Sequence, residues 1–264
     1  MKVVLFCGGL GMRLREVSDQ IPKPMVPIGY RPILWNVMKY YAHYGHKEFI
    51  LCLGYKADVI KKYFLNYDEC LTNNFVLSGN GQNIELLSTD IHDWKITFVD
   101  TGINANIGQR LKAVEPYLEG EEIFLANYSD GLTDLHLPDL IDGFTLSDNI
   151  GSFICVRPKS TYHVVSLNGD NKVASIGELI TSDSWINGGY FVFRHEIFDH
   201  IQPSEELVHE PFARLIEKGR LSAIQHKGFW ASMDTFKDKQ QLEELFSKGS
   251  APWEVWKDKE DPTG

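Results

Sequence analysis

Residues 3–14 read VVLFCGGLGMRL, a short apolar run followed by three glycines. An apolar run without polar alternation is typical of a strand buried on both faces, as in a parallel sheet. Glycines directly after such a strand let backbone N–H groups approach an anion, because no Cβ atom stands in the way. The stretch predicts an α/β fold with a phosphate-binding turn, and a glycine-rich turn without a ligand is the ordinary alternative.

Two better-known phosphate motifs are excluded at this position. A dinucleotide-binding G-x-G-x-x-G registered on Gly9 and Gly11 would need glycine at position 14, where the chain has Leu14. A Walker A loop ends in G-K-[ST], and the sequence contains no such triplet. Arg13 would still offer a planar fork of donors to phosphate oxygens. A phosphate site here would therefore be of another kind.

The first half of the chain alternates strand-like and helix-like patterns. Apolar runs predict strands over 49–53, 96–99 and 123–126, and helical spacing predicts helices over 33–44, 57–67 and 110–118. This alternation is typical of an α/β fold with a doubly wound, mostly parallel sheet covered by helices on both faces. Such sheets bind their ligands at the carboxyl ends of the strands, where the connecting loops gather.

The second half predicts a β-rich insert in the same frame. Strands are predicted over 153–156, 163–167, 173–176 and 190–193, and two closing helices over 211–218 and 237–248. We expect a single domain over residues 1–264, made of a first half (1–145), a second half (146–248) and a tail (249–264). Trp253 and Trp256 in that tail would pack either on their own subunit or on a neighbouring one.

The overall charge excludes a broad class of partners. The 264 residues include 36 acidic and 26 basic side chains, which gives a net charge of −10 with histidine neutral. An acidic chain argues against binding to nucleic acid or to an anionic membrane through a general basic surface. A small anionic ligand stays open, because it needs only a few local cations or a metal ion.

The spacing of the cysteines and the length of the apolar runs indicate the cellular compartment of the protein. Cys7, Cys52, Cys70 and Cys155 form no C-x-x-C pair, so reduced thiols are a simpler interpretation than disulfides or a zinc site. The apolar run over 3–7 is too short for a signal peptide, and no run approaches the roughly eighteen residues of a membrane span. We expect a soluble, cytoplasmic protein.

A stiff connection follows the glycine turn. Residues 21–29 read IPKPMVPIG, and their three prolines restrict the direction of Lys23, the one cation in this run. A lysine held rigidly near a glycine turn suits charge stabilisation at a phosphorus centre. An exposed loop lysine without a ligand is the alternative.

Several motifs spread along the chain together resemble one enzyme family. They are G-G-x-G-x-R-L over 8–14, P-K-P-M-V-x-I-G-x-x-P-I-L-W over 22–35, Y-S-D-G over 128–131, I-N-G-G-Y-F over 186–191 and M-D-T over 233–235. In this order they resemble the nucleoside-diphosphate-sugar pyrophosphorylases, a nucleotidyltransferase family with a Rossmann-like core, and within it the cytidylyltransferases. The likeness extends over nearly the whole chain.

The resemblance implies a reaction and its partners. CMP would be transferred from CTP to a phosphorylated acceptor with release of pyrophosphate, and glucose 1-phosphate is the default acceptor. Positioning and charge neutralisation would carry this reaction, because the acceptor phosphate is already an anionic nucleophile. The nucleotide would bind in the first half and the acceptor in the second. The resemblance further implies Mg²⁺ as cofactor and a homo-oligomer, with no nucleic-acid or membrane partner.

The resemblance also assigns roles to individual residues. The catalytic residues would be Arg13, Lys23 and Asp130, and the ligands of Mg²⁺ would be Asp130 and Asp234. The nucleotide would be bound by Gly8, Gly9, Gly11, Arg13, Lys23, Asn83, Thr101, Gly102 and Arg110. The acceptor would be bound by His163, Glu178, Asn187 and Gly188.

The context of the two aspartates supports a functional role and leaves alternatives. Asp130 follows the predicted strand over 123–126, at the end where active-site residues collect, but an aspartate before Gly131 also suits a simple turn. Asp234 precedes a helical pattern that starts near Thr235, so helix capping is its alternative role.

Three positions depart from the family pattern. Met12 replaces a hydroxyl residue of the glycine turn, Leu179 replaces the lysine expected to hold the sugar's phosphate, and His163 replaces a glycine that makes room for the sugar. A different phosphorylated acceptor, or a nucleotide-binding relative without transfer activity, therefore stays open. An NAD-dependent oxidoreductase is a third class, disfavoured by the broken dinucleotide pattern.

Overall fold

The computed structural model describes residues 1–9, 21–158, 163–169, 172–178 and 184–257. The strands in these ranges are β1 (Lys2–Phe6), β2 (Pro27–Ile28), β3 (Arg31–Pro32), β4 (Glu48–Leu53), β5 (Phe75–Ser78), β6 (Asn83–Leu86), β7 (Lys95–Asp100), β8 (Ile123–Asn127), β9 (Gly131–Thr133), β10 (Gly151–Val156), β11 (His163–Leu167), β12 (Val173–Glu178), β13 (Ile186–Arg194), β14 (Leu221–His226) and β15 (Trp230–Ser232). The α-helices are α1 (Ile33–His43), α2 (Ala57–Leu65), α3 (Ile107–Ala113), α4 (Leu137–Thr145), α5 (Glu210–Glu217) and α6 (Phe236–Ser247).

Seven strands form the central sheet, in the order β14-β10-β13-β8-β1-β4-β7. Within the described part of the chain, β13 alone runs antiparallel to its neighbours β8 and β10, and the other pairs are parallel. The chain builds β1, β4 and β7 outward and then returns to β8 on the other side of β1. This reversal creates a crevice at the carboxyl ends of β1 and β8, where ligands of such sheets bind.

The sheet is buried on both faces, as the apolar runs predict. In β1, Val3 and Leu5 contribute to the core on one face of the sheet, whereas Val4 and Phe6 contribute to the core on the other. All four are at most 4% exposed. The prediction of a doubly wound, mostly parallel α/β sheet is confirmed.

The orientation of β13 matters for the site. Because this strand runs against its neighbours, its first residues lie at the edge where β8 ends: Tyr190 pairs with Asn127. Asn187 and Gly188 therefore reach the same crevice as the glycine turn after β1.

One predicted helix differs from the observed structure. The pattern over 110–118 predicts a single helix, but α3 starts at Ile107 and ends at Ala113, and a separate 3-10 turn covers Glu115–Leu118. Asn106 and Gln109 form a reciprocal capping box, which sets the earlier start. Pro116 lacks an amide hydrogen and disfavours continuation of the α-helix.

The β-rich second half contains an antiparallel hairpin of β11 and β12. His163 lies opposite Glu178 in its register. The strands predicted over 153–156, 163–167, 173–176 and 190–193 are confirmed. Elements that the sequence patterns did not predict are the short pair of β2 and β3, the hairpin of β5 and β6, the small pair of β9 and β15, helix α4 and strand β14.

The tail packs on its own subunit. Trp253 is 1% exposed, its Nε1 donates to Asn36 Oδ1 at 3.3 Å, and its ring lies 5.7 Å from that of Phe229. The ring of Trp256 meets Trp35 edge-on at 6.0 Å. Both tryptophans therefore have packing partners within their own chain and do not need a neighbouring subunit. Among the described residues, no helix is long and apolar enough to cross a membrane.

Candidate active site

Lys23 is the centre of a charged cluster in the crevice. Its Nζ donates to Asp130 Oδ2 at 2.6 Å and to Asp234 Oδ1 at 2.7 Å. The lysine begins a short 3-10 turn after Pro22, in which Met25 N donates to Pro22 O at 2.8 Å. The cluster joins three segments that are far apart in the chain, and all three residues were predicted from the sequence to belong to the site.

A strained turn presents Asp130. Ser129 has φ = +65°, a left-handed conformation that is costly for a residue with a side chain. Two hydrogen bonds hold it there: Ser129 N donates to Asn127 Oδ1 at 2.7 Å, and Ser129 Oγ donates to Phe6 O at 2.8 Å. The turn redirects the chain after β8 and brings the Asp130 carboxylate to Lys23.

The local structure around Asp234 decides between its two alternative roles. Thr235 is the N-cap of α6, because its side chain accepts from Asp238 N and the Asp238 carboxylate accepts from Thr235 N. Asp234 is thus not the capping residue. One of its oxygens accepts from Ser232 Oγ at 2.7 Å, and the other faces Lys23.

Among the residues that the structure describes, this cluster contains one cation and two carboxylates. The Lys23 and Asp130 side chains are 16% and 23% exposed, whereas Asp234 is 43% exposed. Burial favours a lower pKa for the Lys23 ammonium, but Asp130 and then Asp234 outweigh it and raise that pKa above its usual value. Burial raises the pKa of the Asp130 carboxyl, and the nearby ammonium opposes this increase.

Two cavities meet at this cluster. The first cavity, of about 490 Å³, lies beside the glycine turn, and the second, of about 800 Å³, lies between the start of β13 and helix α6. Tyr128 and Asp130 line both of them. Lys23 lines the first cavity and Asp234 the second, so the charged cluster stands at their junction.

Gly8 and Gly9 line the first cavity, and the packing around Gly8 also requires a residue without a side chain. A Cβ atom on Gly8 would lie 2.0 Å from Arg110 Nη1, whereas one on Gly9 would meet none of the described residues within 4 Å. Gly8 is thus required by the packing of Arg110, and none of the described residues fills the space beside Gly9. The predicted residues Gly11 and Arg13, like Met12, lie outside the described residues.

Arg110 lies beneath the loops of the first cavity. It is 3% exposed, and its guanidinium donates to the carbonyl oxygens of Gly8, Leu53 and Ile103 and to Thr101 Oγ1, at 2.7–3.3 Å. It lines the cavity, as predicted for a nucleotide-binding residue. Its contacts show a structural role, because they tie together the loops that follow β1, β4 and β7.

The other predicted nucleotide-binding residues are placed differently. Thr101 accepts from Arg110 and donates to Leu53 O at 2.8 Å, so its hydroxyl serves the loop scaffold. Gly102 follows directly, with φ = +92°. Asn83 lies in the exposed hairpin of β5 and β6 and is not among the residues that line the cavity. The loop that does line it covers residues 103–107, and no sequence motif indicated a role for these residues.

Asn187 and Gly188 line the second cavity, as predicted for acceptor-binding residues. Gly188 also has a packing reason, because a Cβ atom there would lie 2.6 Å from Ile154 Cγ1. Its carbonyl oxygen accepts from Trp230 Nε1 at 2.8 Å, which orients the indole along the cavity wall. For His163 and Glu178 only the strand register is described, and Leu179 lies outside the described residues.

Several residues of the site were not predicted individually. Tyr128 and Ser129 precede Asp130 in the Y-S-D-G motif, and Ser232 comes two residues before Asp234. Their position next to a predicted aspartate was the available signal. What the sequence could not show is that Tyr128 lines both cavities.

The carboxylates of Asp130 and Asp234 suit a divalent cation. Both converge on one point, and carboxylate oxygens with phosphate oxygens and water are the ligands that Mg²⁺ prefers. The described residues contain no group of three or more His, Cys, Asp or Glu side chains that would form an all-protein metal cage. The donor set therefore fits a metal ion that arrives together with a phosphate ligand.

Comparisons with known proteins identify the family of this chain. The family model described as nucleotidyl transferase matches residues 2–258. A glucose-1-phosphate cytidylyltransferase of Salmonella typhimurium is 39% identical over 259 residues, which cover 97% of this chain and 100% of the relative. A probable glucose-1-phosphate cytidylyltransferase of Bacillus subtilis is 36% identical over 258 residues, with the same coverage of both chains.

Solved structures show the same fold at lower identity. HddC from Yersinia pseudotuberculosis superposes with a TM-score of 0.64 at 24% identity, covering 93% of this chain and 99% of that one. A UDP-glucose pyrophosphorylase complexed with UDP-glucose superposes with a TM-score of 0.68 at 16% identity, covering 94% of this chain and 98% of that one.

Proposed function

Because this chain belongs to the nucleotidyl transferase family, we propose that it transfers CMP from CTP to glucose 1-phosphate and releases pyrophosphate. The family is one of enzymes, and nucleotidyl transfer is its common activity. The choice of CTP and glucose 1-phosphate is supported by the names of the relatives that are 36% and 39% identical over nearly their full length.

The single observation that carries the proposal is the position of Lys23. Its ammonium lies at the junction of the two cavities, 2.6 Å from Asp130 and 2.7 Å from Asp234. A transferase of this kind needs two binding spaces that meet where the bond is made, with positive charge at that point. The first cavity would hold the nucleotide and the second the acceptor.

The proposed chemistry is a single in-line displacement. A phosphate oxygen of glucose 1-phosphate forms a bond to the α-phosphorus of CTP, and the bond from that phosphorus to the bridging oxygen of pyrophosphate breaks. No proton has to be removed from the ionised nucleophile. Lys23 would neutralise charge on the α-phosphate, while the turn at Gly8 and Gly9 would leave room for the triphosphate beside Arg110.

Members of this family generally use a divalent metal ion, and we propose Mg²⁺. Asp130 and Asp234 would hold it, and it would offset charge on the phosphate oxygens. With the metal bound, Lys23 would neutralise charge on the phosphate beside these carboxylates. The strained turn at Ser129 keeps the Asp130 carboxylate aimed at the junction.

Because Leu179 and His163 depart from the family pattern, the experiment must above all identify the phosphorylated acceptor. Pyrophosphate release would be measured for CTP, UTP, GTP, ATP and dTTP, each with glucose 1-phosphate and with a panel of other phosphorylated metabolites. We expect CTP with glucose 1-phosphate to give a kcat/KM at least about tenfold above every other pair. A clear preference for another acceptor would refute the glucose assignment while leaving the transferase intact.

Asp130→Ala serves as the active-site control. It should abolish pyrophosphate release, because it removes a ligand of the metal and a partner of Lys23. Binding of CTP by the wild-type protein without turnover of any acceptor would favour the nucleotide-binding relative that lacks transfer activity.

A further inference from the structure

Tyr128 lines both cavities, and contacts with neighbouring residues fix the position of its ring. The ring meets Phe191 edge-on at 5.1 Å, and Tyr128 N donates to Gly189 O at 3.3 Å. Gly189 has φ = +76°, and a Cβ atom there would lie 2.6 Å from Tyr128 Cδ2. A glycine at this position thus leaves the space that the ring fills, and the hydroxyl is presented in one direction.

The direction of the hydrogen bond at this hydroxyl can be derived. Gly189 N donates to the side-chain oxygen of Asn187 at 2.8 Å, so the amide nitrogen of Asn187 is the atom that faces Tyr128, at 3.1 Å. An amide NH₂ only donates, and the Tyr128 oxygen must therefore accept. Within the described part of the chain, no residue accepts the hydroxyl's own hydrogen.

We propose that Tyr128 donates this hydrogen to a phosphoryl oxygen at the junction and so aligns the acceptor phosphate with the α-phosphate. The inference rests on the proposed function and extends it to a residue with no role so far. Phosphate is the expected acceptor because the phosphates are the parts of the two substrates that meet where the cavities meet. Tyr128 keeps its proton throughout, and its effect is to orient the nucleophile and the phosphorus.

The first test is Tyr128→Phe, which keeps the ring and removes only the hydroxyl. We expect kcat to fall about 10- to 100-fold, as for loss of a hydrogen bond to a charged group. KM for CTP should stay within about threefold of the wild-type value, and the melting temperature within about 2 °C. Tyr44→Phe is the matched control, since its hydroxyl donates to Leu135 O at 3.3 Å outside both cavities. Its kcat should be unchanged.

A second variant reverses the hydrogen bond without touching Tyr128. In Asn187→Asp, one carboxylate oxygen would still accept from Gly189 N, and the other would accept the hydrogen of Tyr128. The hydroxyl would then be turned away from the substrate, and kcat should again fall at least tenfold. The same substitution in a Tyr128→Phe background should cost several-fold less, because the hydroxyl is already absent. Equal losses in both backgrounds would mean that the added charge, and not the hydroxyl, is responsible.

The outcomes separate this inference from the proposed function. A wild-type protein that is inactive with CTP and glucose 1-phosphate overturns the proposed function, whatever Tyr128 does. An active wild type whose Tyr128→Phe variant keeps at least half of its kcat overturns the role of the hydroxyl. So does a variant with unchanged kcat and a KM for CTP raised more than tenfold, because the hydroxyl would then serve ground-state nucleotide binding. If Tyr128→Phe does not fold, an Asn187→Asp variant that keeps at least half of the wild-type kcat overturns the role of the hydroxyl.

Discussion

Lys23 Nζ lies 2.6 Å from Asp130 Oδ2, across 107 residues of sequence, and it holds Asp234 at nearly the same distance. In the described part of the chain, the ammonium of Lys23 thus contacts two carboxylates at once and reduces their mutual repulsion in a half-buried crevice. This relationship makes Lys23 important for both charge balance and chemistry.

Lys23→Met should separate these two contributions. Without the ammonium, kcat should fall about 100- to 1,000-fold, because a preorganised positive group at the phosphorus is lost. The melting temperature should also fall, since two carboxylates are left adjacent, and added Mg²⁺ should raise it more than in the wild type. Pyrophosphate release and thermal unfolding with and without Mg²⁺ measure both effects.

Lys39→Met is the matched control for this pair of measurements. Lys39 pairs with Asp90 at 3.5 Å, away from both cavities. Its kcat should stay near the wild-type value. If Mg²⁺ stabilises the Lys23 and Lys39 variants equally, the metal does not use the site that the two aspartates form.

Gly8→Ala and Gly9→Ala should behave differently although the residues are neighbours. The first methyl group would lie 2.0 Å from the Arg110 guanidinium, and the second would have no atom of the described residues within 4 Å. We expect Gly8→Ala to lower the free energy of unfolding by about 2–4 kcal/mol, because a buried cation loses its partners. Gly9→Ala should change it by less than about 0.5 kcal/mol. Urea unfolding measures both, and similar losses would contradict this account of Gly8.

His46 predicts a specific dependence of stability on pH. Burial, and secondly the charge of the N-terminal ammonium, lower the pKa of His46 from 6.5 to about 4. Between these pH values the unfolded chain binds a proton that the folded protein does not, so stability decreases as the pH falls from 6.5 toward 4. His46→Gln should lose less stability over this range, as measured by unfolding at several pH values. Parallel curves for the two proteins would show that His46 is not the cause.

Trp253 tests whether the tail belongs to its own subunit. It is 1% exposed, and Trp253→Ala should cost about 3–5 kcal/mol of unfolding free energy through loss of packing. Trp256→Ala should cost less, because that side chain is only half-buried. The loss should be independent of protein concentration. A loss that disappears on dilution would instead place the tryptophan in a contact between subunits.

The predictable parts of the fold are those in which one short sequence pattern determines the secondary structure and its burial. The apolar run of β1 alternates its side chains between two cores, and the same holds for β4, so runs buried on both faces identified the sheet. The hairpin of β5 and β6 was not found, because Phe75 and Leu77 are exposed and its residues follow no burial pattern. Helix α3 was misplaced because the capping box at Asn106 was overlooked.

The site was predictable as a set of residue types and not as an arrangement. Lys23, Asp130 and Asp234 were identified through motifs, but only the structure shows them within hydrogen-bond distance. Contacts across more than a hundred residues depend on the sheet order, which a single sequence does not determine. For the same reason Gly8 was assigned to phosphate alone, although the side chain that fills its missing Cβ belongs to Arg110.

Arg110 has a consequence for how an acidic protein tolerates salt. Arg110 donates to the carbonyl oxygens of Leu53, at the end of β4, and of Gly8 and Ile103, in the loops after β1 and β7. Its charge is 3% exposed, so mobile ions screen it far less than they screen a surface lysine. A polyanion should therefore still bind in the first cavity at salt concentrations that weaken its binding to a basic surface patch.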